Sequence, residues 1–383
     1  MNFINESDFI VYYSVKQNQI IDEKEAIIQS ADFSSSAYYD FKFNGLYTLR
    51  QPGKYKYFQG LAAIPPKTII NTESTYYEII SNTPNYKISS SYNLDYLREY
   101  LELIKHEFLG KKIGVELSGG LDSSLVIEAL LKLKIDPVLI GFSSDEFEFR
   151  TEREIQKYYH NKASNSILLK YEDHYAFSNL KETPVHPIPV SESHFFQRHK
   201  TVAVTARNFN VDILFSGEAG DQLLSSPLNL ETNKKIPLEF GYWCLSEHWS
   251  NQYVYNKLGV QYISGMALGL IPSILLSLRN GQQFDPMKIW ARKYFNYCLP
   301  HNLSNYAYTA FHNGWVAKGL INAANTIEEI CELSYFQTRN DTLNPDKMKS
   351  MALKYGALDE NKKKLFLINL AYSTWFYSLK NAN

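Results

Sequence analysis

Seven consecutive residues, Ser118 to Ser124, combine two glycines, an aspartate and three serines inside the stretch GVELSGGLDSSLV. Gly119 and Gly120 let a ligand approach the backbone closely, because neither carries a β-carbon. Free N–H groups at a helix start favour an anion, and serine hydroxyls add donors. The stretch therefore predicts a phosphate-binding loop. It lacks the lysine of a Walker A loop and the three-glycine spacing of a dinucleotide loop.

A carboxylate beside a phosphate indicates a cation between them. Asp122 lies in the phosphate loop, and Asp221 lies in a second glycine-containing turn, ILFSGEAGDQLL. Mg²⁺ takes hard oxygen ligands and commonly joins one or two carboxylates to substrate phosphates. The pair therefore predicts a Mg²⁺ site with Asp122 and Asp221 as ligands. The alternative for Asp122 is that it only caps the helix that follows it.

Both motifs require a sheet that brings them together. Short apolar runs (KIGVEL, PVLIGFS, NSILLKY, VDILFSG) alternate with helical segments (LDSSLVIEALLKLK, RTEREIQKYYHNK, and part of SESHFFQRHKTVAVTARNFN). This alternation predicts an α/β fold, a parallel sheet with helices on both faces. Parallel strands end at one edge of a sheet, so Asp122 and Asp221 are expected to face each other.

The rest of the chain divides into a β-rich and a helical part. Residues 1–90 contain short β-branched and aromatic runs separated by Asn, Gly and Pro, which predicts a small β-rich N-terminal domain. From Leu94 the apolar period becomes helical, and residues 91–383 are predicted to carry both motifs. After about Pro237 no further strand is expected, so the C-terminal part is predicted to be helical.

Composition disfavours several functions. A formal net charge of −1 over 383 residues, without a basic block, disfavours a nucleic-acid partner. No apolar run approaches the roughly 20 residues of a membrane helix, so no membrane partner is expected. The cysteines Cys244, Cys298 and Cys331 show neither metal nor disulfide spacing, which favours buried thiols in a reducing cytoplasm.

LSGGLDSS resembles the pyrophosphate loop of the PP-loop ATP pyrophosphatases. Together with LFSGEAGDQL it is similar to the synthetase domain of asparagine synthetase and its relatives, β-lactam synthetase, carbapenam synthetase and the lasso-peptide macrolactam cyclases. The similarity covers about residues 95–226 and implies an adenine nucleotide α-hydrolase-like fold with ATP and Mg²⁺ as cofactors. It implies that a substrate carboxylate attacks the α-phosphorus of ATP, that pyrophosphate leaves, and that an amine then attacks the acyl-adenylate.

The resemblance also assigns residues. Leu117 and Phe142 would lie near adenine, and Asp122 and Asp221 would act in catalysis through Mg²⁺ and pyrophosphate. The nucleotide-binding set would comprise Leu117, Ser118, Gly119, Gly120, Asp122, Ser123, Ser124, Phe142, Gly217 and Glu218. A lysine for pyrophosphate is implied as well, but the late Lys-x-x-Leu-Arg segment and the arginine-led Pro-Phe segment of the family are not found. The position of that lysine stays open among Lys288, Lys293, Lys347 and Lys349.

The N-terminal region departs from the glutamine-dependent relatives. Met1 is followed by Asn2, and no cysteine precedes Cys244, so a glutaminase nucleophile is not expected. The segment YKYFQGLAAIPPKTII resembles the last hairpin of a glutaminase domain, which predicts a truncated remnant over residues 1–90. The amine is therefore expected to belong to the substrate. In the second motif, Gln222 stands where the family has a carboxylate.

Other polar residues lack a metal pattern. His194 and His199 have the wrong spacing for one helix face, and no cysteine or carboxylate completes a set with them. Glu116, one residue inside a strand end, is expected either to face the site or to pair with an arginine. The remaining candidates for a substrate groove or carboxylate pocket are His186, Arg198, Glu152 and Arg153.

These observations favour an ATP-dependent ligase that closes a lactam within one small-molecule or peptide substrate carrying both a carboxylate and an amine. A lasso-type peptide is one such substrate, and partner maturation proteins are then expected. Two alternatives stay open: another PP-loop enzyme that thiolates tRNA or amidates a nucleotide, and a degenerate member that binds a nucleotide or a partner protein. The near-neutral charge disfavours tRNA thiolation, and the intact SGGLDSS disfavours degeneration.

Overall fold

The computed structural model describes residues 2–5, 11–31, 55–56, 61–64, 68–71, 76–81, 92–145, 150–187, 189, 195–224, 249–268, 271–278, 288–296, 299 and 312–381. His194, Cys244 and Cys298 lie outside these residues, as do Pro237 and the side chain of Gln222. Cys331 is a buried free thiol.

The N-terminal region forms two small antiparallel sheets, which confirms the β-rich prediction. The strands are β1 (Asn2–Asn5), β2 (Val11–Ser14), β3 (Gln19–Ile21), β4 (Tyr55–Lys56), β5 (Leu61–Ile64), β6 (Thr68–Asn71) and β7 (Tyr76–Ser81). One sheet has the order β3-β2-β5 and the other β1-β6-β7-β4. A helix that the sequence pattern did not predict, α1 (Glu23–Ala31), follows β3. Asp22 caps this helix by accepting the N–H of Glu25 at 2.8 Å.

Five parallel strands form the central sheet. They are β8 (Ile113–Glu116), β9 (Val138–Ser143), β10 (Ser166–Lys170), β11 (Ile213–Ser216) and β12 (Gln261–Ser264), in the order β10-β9-β8-β11-β12. The predicted parallel sheet is confirmed. The expectation of no strand after Pro237 is wrong, because β12 pairs with β11 at the sheet edge. Two of its four residues, Gln261 and Ser264, are polar, so the segment lacks the apolar run that marks the other strands.

Helices follow or connect these strands. They are α2 (Tyr92–His106), α3 (Leu121–Lys132), α4 (Arg150–Lys162), α5 (Phe196–Asn208), α6 (Gly220–Leu224), α7 (Trp249–Lys257), α8 (Ile271–Leu278), α9 (Ile289–Tyr294), α10 (His312–Thr338), α11 (Pro345–Leu353) and α12 (Glu360–Asn381). The start of α2 agrees with the change of period near Leu94, while the domain boundary near residue 90 stays a prediction.

Alternate side chains of the strands enter two different cores, so helices cover both faces of the sheet. Leu139 and Phe215 pack with residues of α2, α3, α4 and α8 on one face. Ile140 and Leu214 pack with residues of α5, α7, α10, α11 and α12 on the other face. The layered arrangement expected from the sequence is therefore present.

The C-terminal part is helical, as predicted. α10 packs against α11 and α12, and aromatic residues of α12 form a third small core that Ile27 of α1 contacts. Within the described residues, no helix combines the length and apolar character needed to cross a membrane.

Candidate functional site

The two sequence motifs meet at the centre of the sheet. β8 and β11 are neighbours, and the chain proceeds outward from them in opposite directions, to β9 and β10 on one side and to β12 on the other. Ligands of open α/β sheets bind at such a reversal of strand order, beyond the carboxyl ends of the strands. The phosphate loop follows β8 and the second turn follows β11, so both lie at this position.

Gly119 fixes the path of the phosphate loop. Its φ of +85° is in the left-handed region, and a β-carbon there would lie 2.6 Å from the backbone oxygen of Glu152. The loop therefore passes directly beneath the first turn of α4. Only glycine satisfies both the backbone conformation and this close contact.

The serines of the loop form hydrogen bonds within the loop. The Oγ atoms of Ser118 and Ser123 are 2.8 Å apart, and Ser118 Oγ accepts the N–H of Gly120 at 3.1 Å. Buried Ser124 donates its hydroxyl to the oxygen of Gly120 at 2.7 Å, so this hydroxyl shapes the loop.

The helix α3 begins without a side-chain cap. Its N-cap residue is Gly120, which has no side chain to accept the N–H groups of the first turn. Asp122 does not cap the helix either, because its Oδ2 contacts Lys288 and its Oδ1 has no hydrogen-bond partner among the described residues. The first N–H groups of this 12-residue helix point toward the site, where an anion is the favourable partner.

The second turn lies directly against the phosphate loop. A β-carbon on Gly220 would lie 2.1 Å from Cγ of Asp122, and one on Gly217 would lie 2.4 Å from the amide nitrogen of Ser123. Between these glycines, Ala219 takes a left-handed φ of +68°, a conformation that costs a non-glycine residue about 1–2 kcal/mol. The two motifs form one continuous surface.

Lys288 joins the two predicted carboxylates. Its Nζ lies 2.5 Å from Oδ2 of Asp122 and 2.7 Å from Oδ1 of Asp221. The Lys288 side chain is 9% exposed, whereas that of Asp221 is 76% exposed. Like Ala219, Lys288 takes a left-handed backbone conformation, with φ of +52°. Non-glycine residues in that region are typical of functional sites.

Burial and opposite charges set the protonation of this group. Burial raises the pKa of Asp122, Lys288 opposes that rise, and the like charge of Asp221 adds to it. Burial lowers the pKa of Lys288, but the two aspartates outweigh burial, and its pKa lies above the ordinary value. The lysine is therefore a cation at neutral pH. Arg292, one turn along α9, adds a second positive charge that stabilises the Asp122 carboxylate.

The donor set at this position fits Mg²⁺. Asp122 Oδ1 is buried and has no hydrogen-bond partner among the described residues, so it is an open acceptor. In the described part of the chain, no group of three or more His, Cys, Asp and Glu side chains is arranged so that it could hold a metal ion. Two carboxylates beside a phosphate loop nevertheless suit Mg²⁺, which keeps water ligands and takes others from phosphates.

The structure separates the four candidate lysines. Lys347 pairs with Asp341 at 3.4 Å and Lys349 with Glu328 at 2.6 Å, both in the C-terminal helices, and Lys293 is exposed. Only Lys288 of the four contacts Asp122 and Asp221. Lys288 was not distinguished from the other lysines by sequence, because Lys288-x-x-Ala291-Arg292 has alanine at the leucine position of the expected Lys-x-x-Leu-Arg pattern.

Leu117 and Phe142 lie side by side at the ends of β8 and β9, but their side chains enter opposite cores. Gln156 of α4 joins their backbones: its Nε2 donates to the oxygens of Phe142 at 2.6 Å, Ser118 at 3.2 Å and Leu117 at 3.4 Å. Both residues are buried, so a base at this edge would meet their backbone atoms. Gln156 was not singled out from the sequence.

A second polar group adjoins the phosphate loop. Tyr255 donates to Glu116 Oε1 at 2.8 Å, and Tyr262 Oη lies 3.1 Å from Glu116 Oε2 and 2.8 Å from Glu218 Oε1. Asn251 also donates to Glu218 Oε1, at 2.5 Å. The stacked rings of Tyr255 and Tyr262 have centroids 4.2 Å apart.

Arg198 provides the positive charge in this second group. Burial raises the pKa of Glu116 above its ordinary value, Arg198 opposes the rise, and Glu218 adds to it. The guanidinium of Arg198 also lies 5.3 Å from the centroid of the Phe142 ring. The expectation that Glu116 pairs with an arginine is thus met electrostatically, although the hydrogen bonds to Glu116 come from tyrosines.

The other candidates are dispersed. His199 contacts the hydroxyl of Tyr255 at 3.3 Å, at the edge of the second polar group. His186 is buried near α12, where its backbone oxygen accepts from Trp375 at 2.8 Å. Arg153 pairs with Asp145 at 3.0 Å, and Glu152 contributes backbone atoms beneath Gly119.

The fold and the site define an α/β protein with a glycine- and serine-rich loop and a lysine-bridged carboxylate pair at the centre of its parallel sheet. Models of known protein families do not match the chain, and a comparison with curated protein sequences finds no match either.

Proposed function

We propose that the protein is an ATP-dependent amide ligase of the PP-loop type, which adenylates a substrate carboxylate and lets an amine of the same substrate close a lactam. The observation that carries the proposal is the contact of Lys288 with both Asp122 and Asp221 against the phosphate loop. In this arrangement, Lys288 and the helix N–H groups can bind a polyanion directly, and the two carboxylates can bind it through Mg²⁺.

The loop suits the β- and γ-phosphates of ATP. The N–H groups at the start of α3 and the charge of Lys288 would stabilise the negative charge that develops on departing pyrophosphate. Mg²⁺, held by Asp122 and Asp221, would supply further charge neutralisation as a Lewis acid. The α-phosphorus is then left open to a carboxylate that approaches from the substrate side.

In this proposal, Glu218 accepts the proton of the attacking amine. Tyr262 and Asn251 direct their donors to one of its oxygens, Oε1, and Gly217 next to it touches the phosphate loop at Ser123. Removal of that proton makes the amine a nucleophile, and attack on the acyl-adenylate forms the amide and releases AMP. A substrate that carries both groups, such as a lasso-type peptide, loses one water in total.

The test is a product analysis with ATP, Mg²⁺ and peptides encoded by neighbouring genes. We expect AMP and pyrophosphate, and a peptide product lighter by one water, detected by chromatography and mass spectrometry. Asp122→Asn should reduce turnover by at least about 100-fold, as loss of preorganised charge stabilisation does. The exposed Asp346→Asn is the matched control and should leave turnover unchanged. ADP as the main nucleotide product, or full activity of Asp122→Asn at saturating Mg²⁺, contradicts the proposal.

A further inference from the structure

The carboxylate pair of the site is already neutralised by the protein itself. The negative charges of Asp122 and Asp221 face the positive charges of Lys288 and Arg292. Two carboxylates that share a site repel each other, and Lys288 relieves this repulsion by contacting one oxygen of each. A divalent cation attracted to both carboxylates would therefore have to compete with the ammonium of Lys288.

Lys288 has little freedom to give up this position. Its side chain is 9% exposed, so an ammonium that leaves the aspartates without a new anion stays largely removed from water. An unpaired charge in such surroundings costs several kcal/mol. Asp122 is partly buried, and its Oδ2 contacts Lys288, whereas its Oδ1 has no hydrogen-bond partner among the described residues.

We propose that Lys288 occupies, in the free protein, the place of the divalent cation between Asp122 and Asp221, so that these carboxylates take up a metal ion only together with a phosphate anion. The inference rests on the proposed function. Lys288 leaves the carboxylates when the phosphates of the nucleotide offer its ammonium a new partner, and the vacated oxygens then become metal ligands. Lys288 is thus the residue that couples metal binding to nucleotide binding.

The coupling has to be reciprocal. If a bound nucleotide raises the affinity for the metal by some factor, a bound metal raises the affinity for the nucleotide by the same factor. Removal of the ammonium at position 288 should uncouple the two, because the carboxylates then face each other without a counter-ion and attract a divalent cation directly.

Mn²⁺ alone is the probe, and the electron paramagnetic resonance signal of the free ion reports binding. Lys288→Met should bind Mn²⁺ without nucleotide at least about 10-fold more tightly than the wild type, within the usual range of coupling between sites. Lys293→Met, an exposed lysine on the same helix, should behave as the wild type. Addition of Asp122→Asn to Lys288→Met should abolish the gain. A Lys288→Met protein that folds, by circular dichroism, but binds Mn²⁺ no better than the wild type overturns the inference.

A second measurement uses only the wild type and covers the case in which Lys288→Met does not fold. In equilibrium dialysis at one low Mn²⁺ concentration, the wild type should retain the metal with α,β-methylene-ATP and not without it. Equal retention of Mn²⁺ in the absence of nucleotide contradicts the inference. If the wild type does not retain α,β-methylene-ATP in the presence of Mg²⁺, that result contradicts the proposed function instead. The two failures can be told apart, because the gain of Mn²⁺ affinity in Lys288→Met is measured without nucleotide.

Discussion

Glu116 and Glu218 face the same phenolic hydroxyl, that of Tyr262, which has one proton to donate. With both carboxylates ionised, that proton serves either the contact of 2.8 Å to Glu218 or the contact of 3.1 Å to Glu116. Both contacts become hydrogen bonds when Glu116 carries a proton and donates it to the Tyr262 oxygen. The raised pKa of Glu116, caused first by burial and then by Glu218, favours this state.

We predict that Glu116 makes the protein less stable as the pH rises. Because the folded pKa of Glu116 lies above the unfolded value near 4.5, the folded state binds more protons between these two pKa values, and stability falls across that interval. The glutamine of Glu116→Gln cannot titrate, so the pH-dependent decrease in stability that Glu116 causes should be absent from this variant. Its free energy of unfolding relative to the wild type should therefore increase with pH, as measured by urea unfolding.

Four neighbours affect the pKa of Glu116: the charges of Arg198 in α5 and Glu218 after β11, and the hydrogen bonds of Tyr255 in α7 and Tyr262 in β12. Glu332→Gln on the exposed face of α10 is the control and should follow the wild type at every pH. A constant difference between Glu116→Gln and the wild type would mean that Glu116 ionises as in the unfolded chain.

At the scale of elements, the loop between β8 and α3 depends on its contact with α4. We predict that Gly119→Ala destabilises the protein more than Gly110→Ala. Both glycines have positive φ, but only the new β-carbon at position 119 would meet another backbone atom, at 2.6 Å. Gly110→Ala, in open space, should cost about 1–2 kcal/mol from its backbone conformation alone. Gly119→Ala should cost a further 1–3 kcal/mol, roughly the penalty of overpacking. Chemical denaturation measures both.

The same pair of variants tests the role of the loop. Gly119→Ala should also weaken binding of α,β-methylene-ATP with Mg²⁺, whereas Gly110→Ala should not. Equal destabilisation of the two variants would show that the loop can move away from α4 at little cost.

Strong local patterns made most of the central elements predictable. β8 to β11 and helices α3, α4 and α5 follow the alternation of apolar and helical segments in the sequence. β12 was missed because its place in the sheet comes from pairing with β11, a contact between distant parts of the chain. Lys288 stayed one of four candidates for a similar reason, since its approach to Asp122 depends on tertiary packing, which the residues next to Lys288 in sequence do not specify.

At the scale of the whole molecule, the N-terminal region touches the C-terminal helices through α1. Ile27 packs on the core formed around Tyr372, Trp375 and Phe376, whereas its neighbour Ile28 is 62% exposed. We predict that Ile27→Ala lowers the free energy of unfolding by about 1–2 kcal/mol, less than a fully buried isoleucine because Ile27 is only partly buried.

Ile28→Ala is the matched control, and its effect should stay within about 0.5 kcal/mol. Urea unfolding followed by tryptophan fluorescence measures both variants, since Trp375 lies in the contacted core. If both changes have the same small effect, the contact between α1 and α12 contributes nothing to the stability of the protein.

The ion pair of Asp122 with Lys288 spans 166 residues of sequence, which has a consequence during synthesis. When Asp122 and Asp221 have emerged from the ribosome, Lys288, which neutralises them, can still be awaiting synthesis. Until α9 emerges, the strands β8 and β11 can pair, but their loops carry two unbalanced negative charges. No nascent chain that stops before residue 288 can therefore form the ion pairs of Lys288 with Asp122 and Asp221. Under the proposed function, nucleotide binding would mark a chain whose folding has advanced at least that far.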